Sequence, residues 1–168
     1  MNITLIGFRG TGKTSIARLL AERLGKKLIS TDDEISKKMK MNPSSFAKKH
    51  GLDKLREIES DVIEYVSDFD ECVFDTGSSI VMRNENIINL KKNSLIVMLT
   101  ADISTIKNRL KKSRMPSGPM AFFDKIKDTL YEHEARCKRA ADYAIDTSRL
   151  NPEEACDLIT HYLLMEMQ

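Results

Sequence analysis

The stretch that most constrains this chain is Gly7-Phe8-Arg9-Gly10-Thr11-Gly12-Lys13-Thr14, a G-x-x-x-x-G-K-[ST] run near the amino terminus. Before it lies Asn2-Ile3-Thr4-Leu5-Ile6, a β-branched apolar segment that suits a buried parallel strand. After it, Ile16, Leu19, Leu20 and Leu24 recur at helical spacing. Strand, glycine-rich loop and helix in that order turn successive backbone N–H groups inward at a helix N-terminus, where they surround phosphate oxygens. Lys13 adds a positive charge for β- and γ-phosphates, and Thr14 a hydroxyl for the Mg²⁺ that bridges them. By chance the pattern arises in about one chain in a hundred of this length, and the flanking strand and helix argue against chance here. Gly10, Thr11, Gly12, Lys13, Thr14 and Ser15 are therefore the candidate contacts of a nucleotide.

The rest of the chain alternates strands and helices. Lys27–Ser30 reads as a second strand running into Thr31-Asp32-Asp33-Glu34. Acidic residues at the carboxyl end of a parallel strand lie on the side where open α/β sheets bind ligands. They also suit the cap and first turn of a helix over 34–41, with Thr31 or Asp32 as the cap. Asp32 is the candidate for function, whereas Asp33 and Glu34 go to solvent and the helix dipole. Asn42-Pro43-Ser44-Ser45 breaks that helix and caps a short one over 45–50, which Gly51 ends. An amphipathic helix over 53–68 turns Leu55, Ile58, Val62 and Val66 inward, and beside that stripe Arg56 and Glu59 stand at i,i+3. That spacing fits a surface ion pair worth a few tenths of a kcal/mol or a site.

A third strand over 71–75 ends in Asp75, which fits either a metal-holding carboxylate at a strand end or a turn initiator ahead of Gly77. Residues 84–90 read as helix, and 94–99 as the most apolar strand, expected to be central. After a helix over 102–112, Ser113-Arg114-Met115-Pro116-Ser117-Gly118-Pro119-Met120 suits a flap that closes over phosphates, with Arg114 supplying a cation. A helix over 121–139, a strand over 143–146 and a last helix opened by Asn151-Pro152 complete the chain. Ala155, Leu158, Ile159 and Tyr162 form the expected buried stripe of that last helix. Five strands alternating with helices specify a three-layer α/β/α sandwich around a parallel sheet.

The charge balance, 27 basic against 25 acidic residues and a net +2, gives no footprint for nucleic acid, and the scattered lysine pairs read as solvated faces. Cys72, Cys137 and Cys156 are far apart without metal-ligand spacing, so they are expected to be reduced and free. No segment is apolar enough to span a membrane, and the chain enters its first strand without a targeting peptide. The expectation is a cytoplasmic, monomeric protein in which residues 1–168 form one domain.

Taken together, these motifs resemble shikimate kinase, a small kinase family related to the nucleoside monophosphate kinases, from Ile3 to about Leu163. Gly7–Thr14 matches its nucleotide loop. Thr31-Asp32 with Glu34-Ile35 matches its D-T-D-x-x-I segment, and Leu55-Arg56-Glu57-Ile58-Glu59 its F-R-x-x-E segment. Gly77-Ser78-Ser79 falls on its G-G-G turn, and Arg114 with Pro116 on its R-P lid segment. Ala141-Asp142 and Asp146-Thr147 match the segment before the last helix.

The resemblance implies a 2-3-1-4-5 strand order, ATP with Mg²⁺, and phosphorylation of the shikimate 3-hydroxyl in aromatic amino-acid biosynthesis. It implies that Asp32 positions the attacking hydroxyl, that Arg56 grips the acceptor carboxylate and that Arg109 and Pro152 flank adenine. It makes Lys13, Asp32 and Arg114 the catalytic set, places acceptor-binding helices within about 32–68 and puts a lid at about 113–121.

The chain departs from the pattern at several places. Ser30 stands where the family has an aspartate that orders the metal's waters, and Asp75 on the neighbouring strand is expected to restore that carboxylate. Ser78 and Ser79 replace glycines at the acceptor turn. His133 stands in place of a second arginine for the carboxylate, a role that protonated His133 or Arg136 is expected to fill. These departures leave two alternatives to a shikimate kinase. One is a kinase of the same fold acting on another hydroxylated acid or a nucleoside monophosphate, and the other is a non-catalytic nucleotide-binding module.

Overall fold

The computed structural model describes residues 1–113 and 120–168, and the side chains of all of these except 120–128. Five strands, β1 (Asn2–Gly7), β2 (Lys27–Ser30), β3 (Cys72–Asp75), β4 (Ser94–Thr100) and β5 (Tyr143–Asp146), form one sheet in the order β2-β3-β1-β4-β5. All the pairings are parallel, as the alternation of strands and helices predicts. The intervening helices are α1 (Lys13–Leu24), α2 (Thr31–Met39), α3 (Pro43–His50), α4 (Leu52–Ser67), α5 (Asn84–Lys91), α6 (Ile103–Lys112), α7 (Met120–Ala140) and α8 (Pro152–Glu166).

Side chains alternate across each strand, so the sheet has a core on each face. Leu95, Val97 and Leu99 of β4 join Ile3 and Leu5 of β1 under Ile16, Ala17 and Leu20 of α1 and Ala155, Cys156 and Ile159 of α8. Ile96 and Met98 point the other way, against Leu55, Val62, Ile63 and Val66 of α4, Leu90 of α5 and Cys137 and Ala140 of α7. Coverage on both faces is why the inner strands read as unbroken apolar runs. Cutting Ile96 to Ala in that packing should cost about 2–5 kcal/mol.

Local details depart from the sequence reading. β4 is interior, but the middle place belongs to β1, whose loop therefore opens at the centre of the sheet's carboxyl edge. Helix α2 starts earlier than expected and its cap is Ser30, whose Oγ accepts from the Asp33 N–H at 3.3 Å. Neither Thr31 nor Asp32 is used for capping, which leaves the Asp32 carboxylate to the cleft. Asn42, accepting from the Ser45 N–H at 2.8 Å, starts α3 at Pro43. A 3-10 turn over Ser78–Met82, which the sequence reading does not contain, follows β3.

In α8 the buried line is Ala155, Ile159 and Leu163 with Cys156, and Leu158 is 38% exposed. Tyr162 instead stacks on Tyr143, with ring centroids 4.1 Å apart. The three cysteines are buried and free. Among the described residues no helix is long and apolar enough to cross a membrane.

Candidate active site

The site grows from the end of β1. Gly12 has φ 98° and ψ 12°, left-handed backbone that favours glycine, and it caps α1 without a side chain. The first-turn N–H groups, which no helix can satisfy internally, are thus left for an anion. Lys13 sits in that first turn, 9% exposed. Its Nζ donates to the carbonyls of Gly7 at 2.8 Å and Phe8 at 3.0 Å, so the ammonium is folded back over its own loop. Burial lowers its pKa to about 8, and the charges of Asp75 and Asp32 work against that fall.

The far side of the loop is tied to α6 and the segment after β5. Arg109 donates to the Gly10 carbonyl at 3.2 Å and to the hydroxyl and carbonyl of Thr147 at 3.0 and 2.7 Å. The Thr147 hydroxyl is also 2.7 Å from the Thr11 carbonyl. Thr147 thereby joins the loop to the neighbourhood of Pro152, which is exposed at the start of α8 beyond the Asn151 capping box. The sequence reading gave Thr147 no part in the site. Its signals are a polar residue directly after an edge strand and the match of Asp146-Thr147 to the family's segment before the last helix.

Across the loop, the Asp75 carboxylate comes near the Thr14 hydroxyl. Asp75 is in register with Ser30 of β2 and Leu5 of β1, so the carboxylate missing at position 30 is present one strand over. Burial raises the pKa of Asp75, opposed by the nearby Thr14 hydroxyl and the Lys13 charge. A hydroxyl and a carboxylate beside the phosphate loop are oxygen donors of the kind Mg²⁺ takes, the rest of its shell coming from phosphates and water. In keeping with that, no group of three or more His, Cys, Asp or Glu side chains suited to a metal gathers among the described residues.

The acceptor side starts at Asp32, in the first turn of α2. A Cβ on Gly77 would lie 2.5 Å from Asp32 Oδ1, so only glycine allows this approach. The Gly77 N–H donates to Thr31 Oγ1 at 3.0 Å, which gives the buried Thr31 a part that the sequence reading did not assign. Asp32 reaches water at the cleft mouth. Partial burial first, and the Asp75 charge second, raise its pKa, with Lys13 opposing.

The two serines of the turn are engaged on opposite sides. Ser79 donates its hydroxyl to Glu59, which is 4% exposed. Glu59 is therefore turned inward, and the surface ion pair between Arg56 and Glu59 allowed by their spacing does not form. Arg56 is half-buried on the same helix, with its Nε buried and without a hydrogen-bond partner. An orphaned guanidinium donor is costly unless a ligand meets it.

His133 corrects an expectation. It is 6% exposed, edge-on to Phe8 with centroids 5.4 Å apart, and its Nε2 lies 2.6 Å from the Ser78 carbonyl oxygen. Burial lowers its pKa, so the ring is neutral at neutral pH and presents no cation to the cleft. Arg136, partly exposed, lies 3.6 Å from Glu132. Arg114 and nearly all of the expected lid lie outside the described residues.

This arrangement has counterparts among known proteins. A sequence-family model described as shikimate kinase matches residues 9–164. The chain belongs to the shikimate kinase family. The shikimate kinase of Thermodesulfovibrio yellowstonii is 36% identical over 162 residues, covering 94% of this chain and 92% of that protein. That of Caldicellulosiruptor saccharolyticus is 37% identical over 164 residues, with the same coverage of 94% and 92%.

Among solved structures, shikimate kinase from Acinetobacter baumannii in complex with shikimate matches with a TM-score of 0.89 at 26% identity, over 98% of this chain and 93% of that one. Shikimate kinase from Aquifex aeolicus matches with a TM-score of 0.84 over 99% and 98% of the two chains, and at 23% identity it speaks to the fold alone. Enzymes of the shikimate kinase family are phosphotransferases with an alcohol acceptor that use ATP with Mg²⁺, and this chain is one of them.

Proposed function

We propose that the protein transfers the γ-phosphoryl group of ATP to the 3-hydroxyl of shikimate. The observation that carries this reading is family membership along nearly the whole chain, at the acceptor end as well as at the phosphate loop. The same observation disfavours a nucleoside monophosphate or another acid as acceptor, and a non-catalytic module.

In this reading residues 1–168 act as one kinase domain, monomeric and cytoplasmic, with a small hydroxylated acid rather than nucleic acid or membrane as its partner. The N–H groups of Gly10, Thr11, Gly12, Lys13, Thr14 and Ser15 hold the phosphates, and Arg109 and Pro152 flank the base. Thr14 and Asp75 would hold Mg²⁺, which would supply positive charge beside the phosphates. The Lys13 ammonium exchanges the carbonyls of Gly7 and Phe8 for phosphate oxygens, and Arg114 adds a second cation as charge develops.

Arg56 takes the acceptor carboxylate on its free donors, since a planar fork matches a carboxylate, and Arg136 supports it from α7. Gly77 and Ser78 line the ring, and Asp32 orients the 3-hydroxyl. The hydroxyl oxygen forms the new bond to phosphorus as the bond to the ADP oxygen breaks, and the hydroxyl proton leaves through Asp32. The raised pKa of Asp32 suits a group that takes up a proton during transfer.

A coupled ADP-release assay tests the reading. Release should require shikimate and Mg²⁺ together, and Asp32→Asn should lower kcat by roughly two orders of magnitude. Wild-type protein that releases no ADP with shikimate, or that phosphorylates nucleoside monophosphates instead, would sink it.

A further inference from the structure

His133 stands where the family resemblance leads one to expect an arginine, yet it does not do an arginine's work. A carbonyl oxygen only accepts, so the Nε2 that lies 2.6 Å from the Ser78 carbonyl must carry the proton. The Cys137 thiol, one helical turn along α7 and 0% exposed, packs against the ring, its Sγ 3.5 Å from Nδ1 and 3.9 Å from Nε2. Burial pushes its pKa to about 12, so no thiolate stands beside the ring. The imidazole is thus held by the Cys137 sulfur, the Phe8 edge contact and the hydrogen bond it donates to the Ser78 carbonyl.

We propose that His133, packed against Cys137 on α7, positions the acceptor turn through the Ser78 carbonyl, making His133 a positioning residue and leaving the acceptor carboxylate to arginine. This rests on reading 77–79 as the acceptor side. Ser78 adjoins Gly77, whose backbone leaves no room for a Cβ beside Asp32 and whose N–H is bonded to Thr31. A shift of the Ser78 carbonyl therefore moves the backbone against which Asp32 rests. From the opposite side, Glu59 of α4 takes the Ser79 hydroxyl. The turn that carries two serines in place of glycines is held at both, by side chains from different helices. Phe8, which sits edge-on to the His133 ring, belongs to the phosphate loop, so the ring also abuts the donor side.

Two measurements on the full chain test this. Imidazole ¹⁵N spectra of the wild type at pH 7 should show one histidine as the neutral Nε2–H tautomer, absent from His133→Gln and unchanged by saturating shikimate. An imidazolium pattern appearing with shikimate, or the Nδ1–H tautomer, would overturn the proposal. In kinetics, His133→Ala leaves the Ser78 carbonyl unsatisfied and should raise the KM for shikimate about tenfold, with the KM for ATP within about twofold. His133→Gln, whose amide N–H reaches the Nε2 position, should recover most of that loss. An unchanged KM in His133→Ala, or a Gln variant as impaired as the Ala variant, would overturn the positioning role. Should the variants fail to fold, the wild-type spectra still decide. A wild type inactive toward shikimate would overturn the proposed function instead, because the tautomer is read without turnover.

Discussion

The donor and acceptor halves of the cleft open from adjacent strand ends, yet they hold their shape by different means. On the donor side the loop closes largely on itself: Lys13 bonds carbonyls five and six residues back, and Thr11 bonds the Phe8 carbonyl at 2.8 Å. Other carbonyls of that loop are met from afar, Gly10 by Arg109 and Thr11 by Thr147, and its first-turn N–H groups are left for a ligand. On the acceptor side the polar groups are met from other elements, Ser78 by α7, Ser79 by α4 and Gly77 by α2. One donor, Arg56 Nε, is met by nothing among the described residues. A loop that folds onto its own backbone tolerates little substitution. A turn held by distant side chains can change residues where its braces suit them: Ser78 comes with a changed brace, His133, whereas Ser79 uses Glu59, which the family pattern already supplies.

The comparison predicts that donor-side lesions abolish turnover and acceptor-side lesions weaken capture. The largest effect should come from Lys13→Met, which removes the cation from the transferring group and should lower kcat by two to three orders of magnitude. A Lys13→Met enzyme within tenfold of wild-type kcat would break the comparison. Next comes Arg56→Ala, which removes a charge-assisted contact worth about 1.5–3 kcal/mol. It should raise the KM for shikimate by one to two orders of magnitude with kcat much less affected. A fall in kcat at unchanged KM would assign Arg56 to the transition state instead.

The two halves also differed in how far they could be read without coordinates. Gly7–Thr14 is eight consecutive residues, so its chemistry and its flanking strand and helix lie within one window. Strand order came from the family resemblance, and Asp75 was within reach because that order sets the third strand beside the second; Ser30 and Asp75 do prove to be register partners. The braces were not legible. Ser79 and Glu59 are 20 residues apart, Ser78 and His133 are 55 apart, and Thr11 and Thr147 are 136 apart. No local periodicity reports such meetings. His133 misled for a physical reason: position in a pattern suggests a role, but the state of an imidazole depends on its burial and on the hydrogen-bond partner of each nitrogen. The cap of α2 slipped by one or two residues because Ser30, Thr31 and Asp32 are all competent caps, and only the extended backbone at Ser30 chooses among them.

The relocated carboxylate offers a test at the boundary between the halves. Asp75→Ser should weaken Mn²⁺ binding to the ATP complex, read by electron paramagnetic resonance, by about tenfold, the scale of losing one charge-assisted contact. Adding Ser30→Asp in that background should return the carboxylate from the adjacent strand and recover most of the affinity. If Asp75→Ser binds Mn²⁺ as tightly as wild type, Asp75 is not a ligand of the metal.

The smallest effect separates the cleft from the far edge of the sheet through stability against pH. Burial raises the pKa values of Asp32 and Asp75, and the charge on Asp75 raises that of Asp32 further. A raised folded-state value means that the folded chain holds these protons more tightly than the unfolded chain, whose aspartates titrate near about 3.9. Their contribution favours folding below that value and is lost as pH rises through the raised values, so at pH 7 the ionised pair opposes folding. At the other end of β3, Asp70 is bonded to the Met1 ammonium at 2.8 Å, to the Glu71 N–H and to Asn93, and its pKa falls to about 2. Its contribution has the opposite sign, present above about 3.9 and lost as pH falls toward 2. Nucleotide-free Asp75→Asn should therefore melt higher than wild type at pH 7, by a few degrees at most, with the gap closing toward pH 4. Asp70→Asn, at an exposed position, should melt slightly lower at pH 7, with its gap closing only below pH 4. If Asp75→Asn melts lower than wild type at pH 7, the nearby Thr14 hydroxyl and the Lys13 charge outweigh burial, and the carboxylate is part of the scaffold as well as of the proposed metal site.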